Sequence, residues 1–175
     1  MSTPDRNATA AARIFLAGDD IDTDQLAPGQ YMKGGIGELA AHCLEGVLPG
    51  FAASVRPGDI LVAGKNFGMG SSREQAAEAL KHLGLAAVIA RSFAGIFYRN
   101  AINLGLPVLT ASDLGPVTDG ARAVLDMEAD ALRLENGPVV QLNPLPENLK
   151  ALLADGGLVP HLKKRFANQR GKEQV

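Results

Sequence analysis

The sequence holds a single cysteine, Cys43, in 175 residues. That excludes an internal disulfide, which suits a reducing compartment. One thiol is also too few to hold an iron–sulfur cluster, which usually takes several thiolates. The three histidines, His42, His82 and His161, stand far apart, and none falls in a ligand spacing such as His-x-x-x-His. They read as surface or cap residues, and no metal site is expected in this chain. Charge of one sign is scarce as well: Lys and Arg number 17 against 19 Asp and Glu, for a net charge of −2. A general nucleic-acid binder would show a basic face, so nucleic acid is not an expected partner. The short basic run Lys163-Lys164-Arg165 reads as a solvated helix end. No apolar run is long enough to span a bilayer. The stretch Met1 to Ala12 lacks the charged-then-apolar order of a secretory signal, so a cytoplasmic location is expected, with no membrane partner.

What is present suits one globular domain. Hydrophobic residues make up 46% of the chain and charged residues 21%, and glycine is frequent at 20 residues. Residues 1–12 read as a disordered N-terminal tail, 13–167 as one domain and 168–175 as a C-terminal tail. Arg13 to Ala17 is a first short strand running into an acidic loop, Gly18-Asp19-Asp20-Ile21-Asp22-Thr23-Asp24. The acids there are expected to bond their own backbone; the turn glycine and late Glu of a calcium-binding EF-hand are missing. Pro28 to Gly37 reads as a second loop and Glu38 to Glu45 as a helix. In the centre, Asp59 to Ala63 is a buried strand, Ala76, Ala77, Leu80 and Leu83 mark one face of a helix, and Ala86 to Ala90 is the next strand. A helix through Phe93, Ile96, Phe97, Ala101 and Leu104, with Ser92 as its cap, leads to a strand at Pro107 to Leu109. Strand–helix–strand–helix–strand implies parallel pairing with crossover helices. The last third alternates in short runs, 122–126, 131–135 and 139–142, with Asn136-Gly137 as a hairpin turn. Helices are expected at 147–154 and 158–166.

The most informative segment is Gly64 to Arg73. A strand enters a glycine-rich loop, and Ser71 with Glu74, or Ser72 with Gln75, has the spacing of a capping box. A helix opening at Ser71 would present unpaired N–H groups and a positive dipole end to an anion. Arg73 in its first turn could clamp a carboxylate with both arms of its fork, and an arginine at the positive end of a helix calls for an anion to offset it. Two readings stand side by side: Ser71 as a simple cap, worth about 1 kcal/mol, and the loop as an anion site. The P-loop ending Gly-Lys-Ser/Thr is absent. No base is placed next to Ser71 as a hydrolase would need, and there is no Gly-x-Ser-x-Gly elbow.

Three blocks carry a resemblance. Gly18 to Asp24, Asn66 to Ala76 (Asn-Phe-Gly-Met-Gly-Ser-Ser-Arg-Glu-Gln-Ala) and Ser92 to Pro107 (Ser-Phe-Ala-Gly-Ile-Phe-Tyr-Arg-Asn-Ala-Ile-Asn-Leu-Gly-Leu-Pro) resemble, in order, the signatures of aconitase-superfamily small subunits, above all the 3-isopropylmalate dehydratase family. The resemblance implies a swivelling α/β domain of β/β/α type, with a mixed, largely parallel sheet and flanking helices. It implies no cofactor in this chain and a [4Fe–4S] cluster on a large-subunit partner, in a heterodimer or heterotetramer. It implies hydro-lyase chemistry on a dicarboxylate, with 2-isopropylmalate becoming 3-isopropylmalate on the leucine pathway. In this family the first serine of Ser-Ser-Arg is the base, which falls on Ser71. Asp24 matches an active-site acid, and Thr23, Ser72 and Arg73 match substrate-binding positions. Tyr31-Met32-Lys33-Gly34-Gly35 matches the specificity loop, where homoaconitase relatives carry an arginine at about Lys33. Lys33 is thus either a carboxylate ligand or turned to solvent with Met32 toward the substrate. Dimethylmalate, methylmalate or citraconate, and homoaconitate-type substrates stay open. So does a rival of another class, a non-catalytic dicarboxylate-binding module.

Overall fold

Runs of fully buried aliphatic residues make the centre of the sheet. Ile60–Ala63 (β2) and Ala87–Ala90 (β3) are buried at every position, as parallel strands covered on both faces must be. The chain is described here by a computed structural model over residues 10–172. Ala12–Leu16 (β1) and Val108–Thr110 (β4) complete a parallel set in the order β4-β3-β2-β1, with Ile14 beside Ile60, Val62 beside Ile89 and Ile89 beside Leu109. Each crossover moves one strand outward. The crossover helices Glu74–His82 (α4) and Gly95–Leu104 (α5) lie on one face, where Ala76, Leu80, Phe97 and Ala101 pack with Leu61, Val88 and Val108. The β1–β2 connection adds the short helix Thr23–Leu26 (α1), a 3-10 turn over Gly29–Gly34, Gly35–Ala41 (α2) and Phe51–Ser54 (α3).

The other face is covered by the chain's own sheet. Arg122–Asp126 (β5) pairs antiparallel with β1, and Ala131–Leu134 (β6) and Val139–Gln141 (β7) continue outward. Ala123, Leu132 and Val140 pack in one cluster with Ile14, Ile60, Val62 and Ile89, so the antiparallel strands curl back over the parallel ones. The result is a β/β/α sandwich on one seven-stranded mixed sheet, four of its strands parallel. Glu147–Ala154 (α6) and Leu158–Lys172 (α7) flank α5. None of the helices is long and apolar enough to cross a membrane among the described residues.

Several local readings of the sequence differ from the structure. The first strand begins at Ala12, inside the stretch assigned to a tail; residues 1–9 lie outside the described residues. The glycine-rich stretch 28–37 is not a loop: it forms the 3-10 turn and the start of α2, because Leu39 and Ala40 bury at 2% and 1% exposure against the helix-side core. α7 runs through 168–172, also assigned to a tail. Ser92 does not cap α5, whose N-cap is Ala94; its hydroxyl instead accepts the Asn66 N–H at 2.9 Å. The 136–137 hairpin forms, yet neither residue takes a positive φ, since the four-residue connection from Glu135 to Pro138 needs no primed turn.

Candidate functional site

The three blocks meet at the carboxyl ends of β1, β2 and β3, where ligands gather in α/β sheets. Backbone hydrogen bonds lash them together. Asp20 N–H donates to Lys65 O at 2.8 Å, Gly68 N–H to Ile21 O at 2.7 Å and Thr23 N–H to Met69 O at 2.8 Å. On the other side, Phe67 N–H donates to Ser92 O at 3.0 Å and Ala94 N–H to Phe67 O at 2.9 Å. Side chains add a second layer. Asp19 Oδ1 accepts Lys65 N–H at 2.7 Å, and Asn66 Nδ2 donates to Asp20 Oδ1 at 2.8 Å. Asp20 and Asn66 both sit in the left-handed region, at φ 56° and 58°, which these two residue types tolerate best.

Beneath the loop lies an aromatic floor. Phe67 stands edge-on to Phe93 and Phe97, at centroid distances of 5.8 and 5.2 Å, and Phe67 and Phe97 are buried. Gly68 presses its backbone onto this floor. It has φ +81°, and a Cβ there would lie 2.2 Å from Phe97 Cγ. Only glycine fits that position.

Ser71 is exposed on top of this assembly. Its hydroxyl lies 3.2 Å from that of Thr23, and Thr23 is 2% exposed. The helix beyond does not open at Ser71. α4 begins at Glu74 with Arg73 as N-cap, and no side chain caps it, so neither capping box formed. The reason is tertiary: Met69 is held by Thr23, and Gly70 turns the chain at φ +105° with Thr23 Oγ1 at its side. A true capping box stands on the facing loop, where Asp22 accepts the Gln25 N–H at 2.8 Å and Gln25 Oε1 accepts the Asp22 N–H at 2.9 Å. Its Asp-x-x-Gln spacing was available in the sequence.

Arg73 has an anion of its own. Its Nη1 pairs with Asp24 and donates to Ala27 O at 3.1 Å. The charge conflict of an arginine at a helix start is thus met inside the chain, by an exposed carboxylate. Ser72 is exposed beside Ser71. Serine hydroxyls, a guanidinium and a carboxylate therefore share one open rim. Such a group can bind an anion and exchange a proton with it. The rim is open to solvent, with both serines exposed.

The structure brings Thr23 onto Ser71 and Asp24 onto Arg73 by direct contact. It does not join them to the 31–35 segment: among the described residues no hydrogen bond or ion pair links the two. Tyr31 stacks flat on His42 at 3.5 Å, and His42 Nδ1 meets Glu45 at 2.6 Å. Met32 packs against the helix-side core. Lys33, Gly34 and Gly35 are exposed, and Lys33 has no ion pair among the described residues. Sequence reasoning missed the clamp made by Asp20, Asn66 and Ser92. Asp-Asp and Lys-Asn before glycine-rich turns were its only signal.

Among the described residues the one thiol does not suit an iron–sulfur cluster. Cys43 is fully buried, burial pushes its thiol pKa well up, and among the described residues no group of three His, Cys, Asp or Glu could hold a metal.

Residues 47–113 match the family model described as the aconitase C-terminal domain. The methanogen homoaconitase small subunit of Methanothermobacter thermautotrophicus is 49% identical over 154 residues, covering 87% of this chain and 89% of that protein. The 3-isopropylmalate dehydratase small subunit 1 of Thermotoga maritima is 44% identical over 155 residues, covering 87% and 93%. Among solved structures, that of 3-isopropylmalate dehydratase from Methanocaldococcus jannaschii superposes with a TM-score of 0.87 at 42% identity, over 93% of this chain and 98% of that one.

Proposed function

The chain belongs to the 3-isopropylmalate dehydratase small-subunit family of aconitase-type proteins, and from that membership we infer that it is the small subunit of a hydro-lyase isomerising 2-isopropylmalate to 3-isopropylmalate. The observation that carries the reading is the meeting of three separated segments around Ser71, with Thr23 against its hydroxyl and Arg73 on Asp24. The rim is open because it is half of a site. A large subunit carrying a [4Fe–4S] cluster supplies the other half and the Lewis acid, in a heterodimer or heterotetramer. Met69 and Ile96, exposed at 40% and 49% on the same end of the sheet, suit a surface that a partner covers.

Each residue takes a defined part. Arg73 binds a substrate carboxylate with the donors that Asp24 leaves free, and Asp24 holds the fork at the right angle. Ser71, as alkoxide, takes the proton from the carbon next to a carboxylate; the hydroxyl leaves from the neighbouring carbon and a double bond forms. Water then adds with the positions exchanged, and Ser71 returns the proton. Thr23 donates a hydrogen bond that stabilises the alkoxide, and Ser72 hydrogen-bonds the substrate.

The test is a reconstituted complex carrying Ser71→Ala. Turnover is expected to fall about 10³-fold, within the range of general base catalysis, with assembly and melting temperature unchanged. Near-normal turnover would overturn the assignment. A colourless chain that binds malates without any partner would favour the dicarboxylate-binding module instead.

One observation favours a second substrate reading. Lys33 is exposed and unpaired among the described residues while Met32 is turned into the core. That suits a substrate with a further carboxylate, as in homoaconitate, better than an isopropyl group. A panel of branched and linear malates decides: Lys33→Met would raise the KM of a tricarboxylate at least about tenfold and leave isopropylmalate unchanged.

A further inference from the structure

The amino ends of the strands, opposite the Ser71 rim, hold a second concavity of about 570 Å³. Arg13, Arg56 and Arg122 line it together with Ile60, Ala86 and Leu125. Arg13 and Arg122 are direct cross-strand partners on β1 and β5, an arrangement that sets two like charges side by side and destabilises a sheet unless something offsets it. The nearby carboxylate does not offset it by pairing. Asp59, 8% exposed, uses both oxygens on backbone groups, accepting Arg13 N–H at 3.1 Å and Arg56 N–H at 2.8 Å. The guanidinium groups rest on weak partners. Arg13 lies over the Phe15 ring at 4.3 Å. Arg122 donates to Ala11 O at 2.7 Å and stands 3.9 Å from Glu135. Arg56 is exposed and has no carboxylate within ion-pair distance among the described residues.

We propose that this concavity is a second, non-catalytic site for a small aliphatic carboxylate, its head group held between Arg13, Arg56 and Arg122 and its hydrocarbon chain on the half-buried Ala86 and Leu125. Guanidinium forks match a carboxylate in two-pronged fashion, and a pocket with apolar walls and a few convergent charged groups is the usual form of a small-ligand site. An anion there removes the Arg13–Arg122 conflict, so binding tightens the β1–β5 seam that joins the two halves of the sheet. The site uses none of the residues given to the hydro-lyase reaction and stands or falls apart from it.

Titration of the ¹⁵N-labelled full chain with 4-methylpentanoate, followed by backbone amide shifts, tests the proposal. Saturable shifts are expected at Arg13, Arg56, Gly58 and Arg122, with Ser71 to Arg73 unmoved. 4-Methylpentanol, neutral but equal in hydrocarbon, should leave those amides in place, and acetate should bind about tenfold more weakly or worse. Arg56→Gln and Arg122→Gln, both on exposed side chains that leave the fold intact, should each weaken binding about tenfold. Three results would overturn the site: no saturation, shifts only around Ser71, or binding that requires removal of residues 1–9.

Discussion

The two halves of the sheet do different work with similar material. In the parallel half, β1, β2 and β3 all point their carboxyl ends at one place, so the loops leaving them must share it. Those loops carry the hydroxyls, the guanidinium and the carboxylate of the candidate site. In the antiparallel half, successive strands deliver their turns to alternate ends, and β5, β6 and β7 contribute Ala123, Leu132 and Val140 to the face of the core. Direction of strands, more than composition, decides which half can converge side chains on a ligand.

Glycines with positive φ measure the contrast most sharply. In the parallel half, Gly68 (φ +81°) would push a Cβ to 2.2 Å from the buried Phe97 ring. In the connection to the antiparallel half, Gly115 (φ +57°) would meet only Val140 Cγ2, at 3.9 Å. Both substitutions carry backbone strain, and only the first adds overpacking. Gly68→Ala should therefore cost about 3 kcal/mol or more in chemical denaturation, and Gly115→Ala about 1 kcal/mol. Equal losses would show that the loop over Phe97 is not held as tightly as its contacts require, and that the two halves do not differ in this respect.

Next in size is the capping box on the loop facing Ser71. Asp22 satisfies the Gln25 N–H, and the helix it starts carries Thr23 and Asp24. Asp22→Ala should cost about 1 kcal/mol and, in the reconstituted complex, lower turnover by loosening Thr23 and Asp24. A stability loss with full turnover would separate the cap from the site. This box also marks what was legible beforehand. The central strand–helix–strand–helix–strand and the 147–154 helix followed from hydrophobic periods that tertiary packing reinforces. The cap at Ser71 did not: the pattern was present twice, at 71/74 and 72/75, but a contact with Thr23, 48 residues away, holds Ser71 out of the helix. Local spacing cannot register a constraint of that separation. The same holds for the 28–37 stretch, where glycine content argued for a loop and the burial of Leu39 and Ala40 made a helix. Ser71 and Arg73 were readable as candidate site residues from their block. Their partners Thr23 and Asp24 became a cluster with them only once β1 and β2 were paired.

The smallest effect belongs to the antiparallel half. Arg133 on β6 bonds Asp126 on β5 at 3.2 Å, and this pair, with the Ala129 N–H, holds the Asp126 carboxyl below the usual carboxylate range. The Ala129 bond is the larger cause and the arginine the next. Both side chains are substantially exposed, at 51% and 34%, so water and salt screen the pair. Arg133→Ala should therefore change stability least of the substitutions considered, by an amount near the limit that chemical denaturation resolves. Because the native carboxyl titrates lower than the unfolded one, whatever it contributes is present above the ordinary carboxylate pKa and fades as pH falls through the lowered value. The variant's stability curve should therefore converge on that of the parent at acid pH and part from it only slightly above. Turnover of the complex should not change, since β5 and β6 meet the site nowhere. A fall in turnover as large as that expected from Asp22→Ala would mean that the antiparallel half does more than cover the core, and would remove the division of labour between the two.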